Sequence, residues 1–495
     1  MRNSSNKIEF GDFQTPIELA NQITSLLSAK GLKPSSILEP TCGIGNIFKS
    51  ALFSFNDWEK AVGIDINQNH ITALEDYKDK EEKFRGKDVQ ILKQDFFTID
   101  WKEYLTNLPE PILIIGNLPW VTSSGQGVIG GQNLPTKSNF LKFNGFDAIS
   151  GKSNFDISEW MLIRLLEAMD KRKVVLAMLC KTIVARKILL YAWRNNIVLK
   201  DAKIYNFNAL KYFNASVDAC LFICETSGDK ENYNCNVFSE LTDLEPVKMI
   251  GFHDGQLISN VNSYEKWKHL MGGINNYKWR TGIKHDCSKV MELTKKGDCY
   301  INGFGKEIVL EDTYICPFLK SSDVANGNCS SIDRYVIITQ KRVGEDTSSI
   351  ESKAPKTWAY LCEHGSYLEK RKSSIYRNKP KFSIFAVGDY SFSPWKVAIS
   401  GLYKKLHFSV VGNIDGKPIL LDDTCNFIPC NDIEEAEMLA KLLNSKVAKE
   451  FFESFIFWDS KRVITVDLLK KLNISLLAKE LNEPLKAEAY LPLAS

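Results

Sequence analysis

An amide and an indole stand where a dense apolar run stops. In "PILIIGNLPWVTSSG", Asn117, Leu118, Pro119 and Trp120 follow an Ile/Leu stretch and precede small polar residues. An amide oxygen can accept the hydrogens of an amine, and an indole can lie against a flat heteroaromatic ring. Three other stretches set chemistry-bearing residues in the same kind of place. "LEPTCGIG" offers Glu39, Pro40 and Cys42, then Gly43 and Gly45, which allow a tight turn and a close backbone approach to a ligand. "KAVGIDI" delivers Asp65 and Ile66, the aspartate 22 residues after Gly43, where a carboxylate commonly accepts hydrogen bonds from ribose hydroxyls. "VQILKQDF" ends in Asp95 and Phe96, an acceptor beside an aromatic ring, suited to adenine and its amino group. Taken singly, each has a plainer reading as a structural turn, a helix cap or a turn start. In order, at four successive strand ends, they imply a nucleoside-like ligand with a reaction position beside Asn117. The glycine turn lacks the third glycine of a dinucleotide fingerprint and the Lys-Ser/Thr of a phosphate loop.

The elements that must position these groups are short buried strands alternating with helices. "SSILEP", "KAVGIDI", "VQILKQDF", "PILIIGN", "KVVLAMLC" and "ACLFIC" read as strands, and "EWMLIRLLEAM" as one of the helices between them. "TPIELANQITSLLSAKG" reads as a one-sided helix with apolar Ile17, Ala20, Ile23, Leu26 and Leu27, Thr15 as its cap, Glu18 completing a capping box, and Gly31 as its end. Such alternation predicts an α/β fold, a mostly parallel sheet covered on both faces, with ligands gathered beyond the carboxyl ends of the strands. From Val121 to Ser153 the chain is rich in Gly, Ser, Asn and Lys with little periodicity, the mark of a long functional or disordered loop.

The ordered set "FQTP", "EPTCGIG", "GIDI", "QDF", "GNLPW" resembles the gamma-class S-adenosylmethionine-dependent amino-methyltransferases of restriction–modification systems. "GKSNFDISEWMLIRLLEAM" and "NALKYFNASVDACLFI" resemble the stretch after that family's catalytic loop and its late hairpin. The resemblance covers about residues 10 to 225. It implies a Rossmann-like class I methyltransferase domain, adenine N6 of duplex DNA as the target, and a base flipped out of the helix. By position it implies that Thr15, Glu39, Pro40, Cys42, Gly43, Gly45, Asp65, Ile66, Asp95 and Phe96 surround S-adenosylmethionine. Asn117 and the Leu118 carbonyl would take the two amino hydrogens, with Pro119 beside them. Trp120 would stack on the base, with Phe213, or less favourably Tyr212, on its other side. The family usually has proline where Leu118 stands; its carbonyl is retained, and Pro119 pushes it toward extended geometry.

Length and composition set the frame. A chain of 495 residues suits two domains. The reading is a catalytic domain over 1–228, a connecting segment over 229–280, and an α+β DNA target-recognition domain over 281–495. In the last, "SYLEKRKSSIYRNKPKF" interleaves Lys370, Arg371, Lys372, Arg377, Lys379 and Lys381 with aromatic residues, a pattern suited to phosphate and base contacts or to a solvated charged loop. "GDYSFSPWKVAISGLYKKLHF" reads as strand, turn and strand, with Lys404 and Lys405 as phosphate contacts and Trp395 as core or base reader. A net charge of +3 requires that any polyanion be held by a local face. Twelve scattered cysteines without paired spacing, and six histidines without metal spacing, read as reduced thiols and structural side chains in a cytoplasmic protein without metal or membrane span. No paired-carboxylate-plus-lysine cluster suggests a nuclease, which assigns restriction to a separate endonuclease. Cytosine-N4 methylation, methylation of a protein glutamine or an RNA base, and a non-catalytic DNA-specificity subunit are the competing readings.

Overall fold

The computed structural model describes residues 14–120, 156–226, 232–273, 276–330, 332–460 and 462–483. The long break read at Val121 to Ser153 lies outside them. The chain divides into two compact units, Met1–Val261 and Asn262–Ser495.

The first unit is built on ten strands: β1 (Ser36–Glu39), β2 (Lys60–Asp65), β3 (Asp88–Lys93), β4 (Ile112–Asn117), β5 (Val174–Lys181), β6 (Asp201–Phe207), β7 (Ala219–Glu225), β8 (Asn234–Phe238), β9 (Lys248–His253) and β10 (Gln256–Ile258). They lie in the order β3-β2-β1-β4-β5-β7-β6-β8-β9-β10. Pairing is parallel from β3 through β5. β7 then inserts antiparallel between β5 and β6, β8 runs parallel to β6, and β9 and β10 continue antiparallel. The strand order turns back between β1 and β4, the switch point where open α/β sheets collect ligands.

Among the described residues the strands are accompanied by helices α1 (Ile17–Ala29), α2 (Asn46–Ser54), α3 (Gln68–Lys80), α4 (Trp101–Thr106), α5 (Ile157–Met169), α6 (Thr182–Arg194) and α7 (Ala209–Phe213). Every apolar residue of β4 from Ile112 to Ile115 is buried, so both faces of the sheet are covered. Leu113 and Ile115 join α1 and α2 in one core cluster, while α5 packs on α6 with an almost wholly buried surface. α1 differs from its sequence reading. It begins at Ile17 after Pro16, with no side-chain cap, and Thr15 is itself buried. Its buried stripe is Leu19, Ala20, Ile23 and Leu27, and Ile17 is 53% exposed.

Within the segment read as a connection over 229–280, β8 to β10 extend the ten-stranded sheet, and the first compact unit closes at Val261. The composition changes near residue 228, but backbone pairing of β8 to β6 continues past it.

The second unit is α+β. A four-stranded sheet runs in the order 280–281, 425–430, 395–400, 409–411, and a six-stranded one in the order 307–308, 299–302, 292–296, 334–337, 315–319, 420–421. Helices Ile433–Leu443 and Lys446–Glu453 bury Leu439, Leu443, Phe451 and Phe452 in one core with Val397 and Ile399 of the first sheet.

Candidate active site

A cavity of about 640 Å³ opens at the carboxyl ends of β1 to β4. Thr15, Glu39, Pro40, Cys42, Gly43, Asp65, Ile66, Asp95, Phe96, Asn117 and Pro119 all line it, so residues spread over a hundred positions share one wall. The turn after β1 makes this possible. Gly43 and Gly45 have φ of +52° and +80°, a region that penalises a Cβ. A Cβ at Gly43 would also come within 2.6 Å of Gln14 Oε1, and one at Gly45 within 2.5 Å of Leu74. Gly45 shapes the turn without lining the cavity.

Asp65, at the end of β2, organises two loops with one carboxylate. Its Oδ2 accepts the Gly43 N–H at 2.8 Å and its Oδ1 the Asn67 N–H at 2.8 Å. His70 Nδ1 lies 3.4 Å from Oδ1. Four lone-pair sites leave the side chain able to accept a ligand hydroxyl as well. Asp95 begins a single tight turn, accepting the Phe97 N–H at 2.9 Å. Phe96 is buried against Trp101 with ring centroids 4.6 Å apart, yet its edge reaches the cavity.

Glu39 is the electrostatic anomaly. It is 2% exposed, burial pushes its carboxyl well above the ordinary range, and the nearby Asp65 adds to the shift. Its Oε2 has no hydrogen-bond partner among the described residues. A buried carboxylate oxygen without a donor costs free energy until a cation or donor reaches it. Cys42 beside it is buried and its thiol is pushed far up by that burial, which leaves it a packing group rather than a nucleophile.

Asn117 closes β4 opposite Leu179 of β5 and faces the cavity. Its carbonyl accepts the Thr41 hydroxyl at 3.3 Å. Leu118 is buried at 1% exposure and does not line the cavity. Trp120 and Phe213 lie outside it too. Their rings meet edge to face at 5.1 Å and 65°, with Phe207 behind. In this arrangement they touch each other and leave no slot for a base between them. Tyr212 turns toward α1, its hydroxyl donating to Gln22 Oε1 at 3.2 Å, which separates it from Phe213 as a stacking group.

Asn67, His70 and Phe97 line the cavity without standing in any of the quoted motifs, while Gln14, Gln94, Ile157 and Met161 stand in motifs but were given no role there. Gln14 accepts the Ile44 N–H at 3.1 Å, a contact bridging thirty residues. Its place just before the "TPIEL" helix start was the one hint in the sequence.

In the second unit, the basic segment divides. Lys370, Lys372, Arg377, Lys379 and Lys381 are exposed and make no ion pair among the described residues, as do Lys404 and Lys405 in the connection between 395–400 and 409–411. Arg371 differs from its basic neighbours. It is half-buried, donates to the carbonyls of Leu368, His285 and Ser383 at 2.7 to 3.1 Å, and lies over the Tyr376 ring at 3.6 Å. Through its Nε and Nη1 donors it ties the segment to three protein carbonyls. Trp395 packs partly buried against the helical core. All twelve cysteines are free. Among the described residues no His/Cys/Asp/Glu group could hold a metal ion, and no helix is long and apolar enough to cross a membrane.

No family model matches the chain. A type II methyltransferase, M.NspV from Nostoc sp., is 48% identical over 473 residues, covering 96% of this chain and 98% of that protein. Among solved structures, the type IIL restriction-modification enzyme MmeI in complex with DNA is similar with a TM-score of 0.50 and 13% identity. That similarity covers 92% of this chain, which spans 64% of the length of MmeI.

Proposed function

This chain belongs to the type II methyltransferases, and we propose that within that family it transfers a methyl group from S-adenosylmethionine to the N6 amino group of adenine in duplex DNA. The fold is that of a class I S-adenosylmethionine-dependent methyltransferase with a C-terminal α+β domain. The observation that carries the reading is the single cavity joining Glu39, Asp65, Asp95 and Phe96 to Asn117.

The residues present fit the methyl donor. A cavity of about 640 Å³ is of the right order for a nucleoside with an amino-acid tail. The unpartnered Glu39 Oε2 suits the donor's cationic amino group, Asp65 its ribose hydroxyls, and Asp95 with Phe96 its adenine. When bound, S-adenosylmethionine supplies an electrophilic methyl group on a positively charged sulfur.

The chain's own contribution is orientation and electrostatics. An exocyclic amine on adenine is a weak nucleophile because its lone pair is delocalised into the ring. Asn117 and the Leu118 carbonyl accept its two hydrogens, which favours a pyramidal nitrogen with a localised lone pair. No strong general base is needed. A base within a duplex cannot reach Asn117, so it is flipped out, and stacking on Trp120 offsets part of the unpairing cost. Placing the base between Trp120 and Phe213 requires those two rings to part. The protein then acts as the modification component of a restriction–modification pair, with a separate endonuclease.

Incubation with labelled S-adenosylmethionine and duplex DNA, followed by nucleoside analysis, tests this. Label in N6-methyladenine is expected; label in N4-methylcytosine, or none in any DNA, overturns the base assignment or the activity. Asn117→Ala should lower transfer by at least about 100-fold, with donor affinity within a few-fold of wild type.

A further inference from the structure

The Asn117–Trp120 segment is gripped from outside by Thr41 and by Lys181, the second of which stands in none of the quoted motifs. Its first carbonyl, that of Asn117, accepts the Thr41 hydroxyl. Its last, that of Trp120, accepts the ammonium of Lys181 at 3.3 Å. Lys181 ends β5, two residues beyond the partner of Asn117 in the β4–β5 register, so the strand pairing itself brings it alongside the segment. The same Nζ donates to Asp156 Oδ2 at 2.6 Å. Both side chains are largely buried, at 18% and 7% exposure.

Asp156 is itself fixed. Its Oδ1 caps α5, accepting the Ser158 N–H at 3.1 Å and the Ser158 hydroxyl at 2.6 Å. A carboxylate at a helix N-terminus is favoured by the local dipole, so the anchor is rigid before Lys181 reaches it. A charged donor between a fixed carboxylate and a backbone carbonyl holds that carbonyl more firmly than a neutral bond would.

We propose that Lys181 is a positioning residue for methyl transfer: through Asp156 it fixes the Trp120 carbonyl and with it the backbone that presents Asn117 and the Leu118 carbonyl. The inference rests on the function proposed above. It also accounts for Leu118. A proline there would lock φ near −65° by its own ring; leucine gives that up, and the constraint is applied from the two ends of the segment instead. Misplacement of acceptors by a fraction of an ångström is enough to slow an orientation-dependent reaction.

The test compares wild type with Lys181→Met and Lys181→Arg. Lys181→Met is expected to lower kcat roughly 10–100-fold, the usual range for removing a supporting hydrogen bond, while donor affinity by calorimetry stays within about twofold. Lys181→Arg, which keeps the charge, should recover part of the loss. Asp156→Asn, which keeps the cap acceptor but removes the charge, should fall between. Fluorine NMR of fluorotryptophan-labelled protein, with the Trp120 resonance assigned by Trp120→Phe, should show that resonance shifted or broadened in Lys181→Met and restored in Lys181→Arg. If Lys181→Met does not fold, Lys181→Gln carries the same readings. A folded variant with wild-type kcat and an unmoved Trp120 resonance overturns the proposal, as does equal loss in donor affinity and kcat. If wild type methylates no DNA at all, the functional reading fails, and the Trp120 resonance alone decides whether Lys181 positions the segment.

Discussion

At the scale of single residues, the site trades stability for binding. Glu39 is buried with one oxygen unpartnered, so its charged form is disfavoured until a cation arrives. The sign follows from linkage. A carboxyl whose folded pKa is raised contributes stability in full below the ordinary carboxylate value of about 4.3. That contribution is lost as pH climbs through the raised value. Glu39→Gln removes the penalty. The ligand-free variant should be more stable than wild type at pH 7.5, with the advantage vanishing toward pH 4, as read by thermal unfolding. The same change should weaken S-adenosylmethionine binding about 10–100-fold by calorimetry, the value of a hydrogen bond to a charged group. A variant that gains no stability, or keeps wild-type affinity, contradicts this account of Glu39. Much of the site's chemistry was legible because Glu39, Asp65 and Asn117 each close a largely apolar strand and Asp95 stands two residues past the end of another. Asn67, His70 and Phe97 were not, since tertiary folding delivers them from surfaces whose local pattern says nothing of a ligand.

Elements show a parallel division between what pattern reveals and what packing decides. The six strands read from the sequence are mostly those buried on both faces, whose composition is continuously apolar. "DAKIYNF" escaped as β6 and "NCNVF" as β8 because polar residues alternate along them, as expected for strands toward a sheet's partly solvated side. Lys396 inverts the rule. It occupies a strand position of the second unit at 1% exposure, with its ammonium donating to the Ser393 carbonyl at 2.7 Å. Burial lowers its pKa to about 7. The unfolded chain holds its proton up to about 10.5, so between those values unfolding takes up a proton and stability rises with pH. Lys396→Met should flatten that rise and stabilise the protein at pH 7 by about 2 kcal/mol. Thermal unfolding of both proteins across that range would show it, and parallel curves would refute it.

For the whole molecule, the exposed cations of the second unit give a prediction that separates binding from architecture. Replacing Lys379 and Lys381 together by alanine should weaken DNA binding at all sequences. It should also lower the slope of log affinity against log salt by about 1 for each phosphate no longer neutralised, with the fold unchanged. Arg371→Ala should instead lower the unfolding temperature, because three carbonyls lose their donor. The distinction was invisible in "EKRKSS", where the basic residues look alike, since Arg371 reaches its partners only after residues 285 and 383 have folded beside it.

The run of the catalytic sheet through Ile258 governs where this gene can be cut. Severing it near residue 228 would strip β8 from β6 and bare a row of unpaired N–H and C=O groups. An expressed 1–228 fragment should therefore self-associate or precipitate. One ending at Val261 keeps the added strands and should stay monodisperse and bind S-adenosylmethionine, as light scattering and calorimetry would report. The seam for dividing, swapping or recombining the two halves of such an enzyme is set by the last backbone ladder, about thirty residues after the point where the composition turns polar.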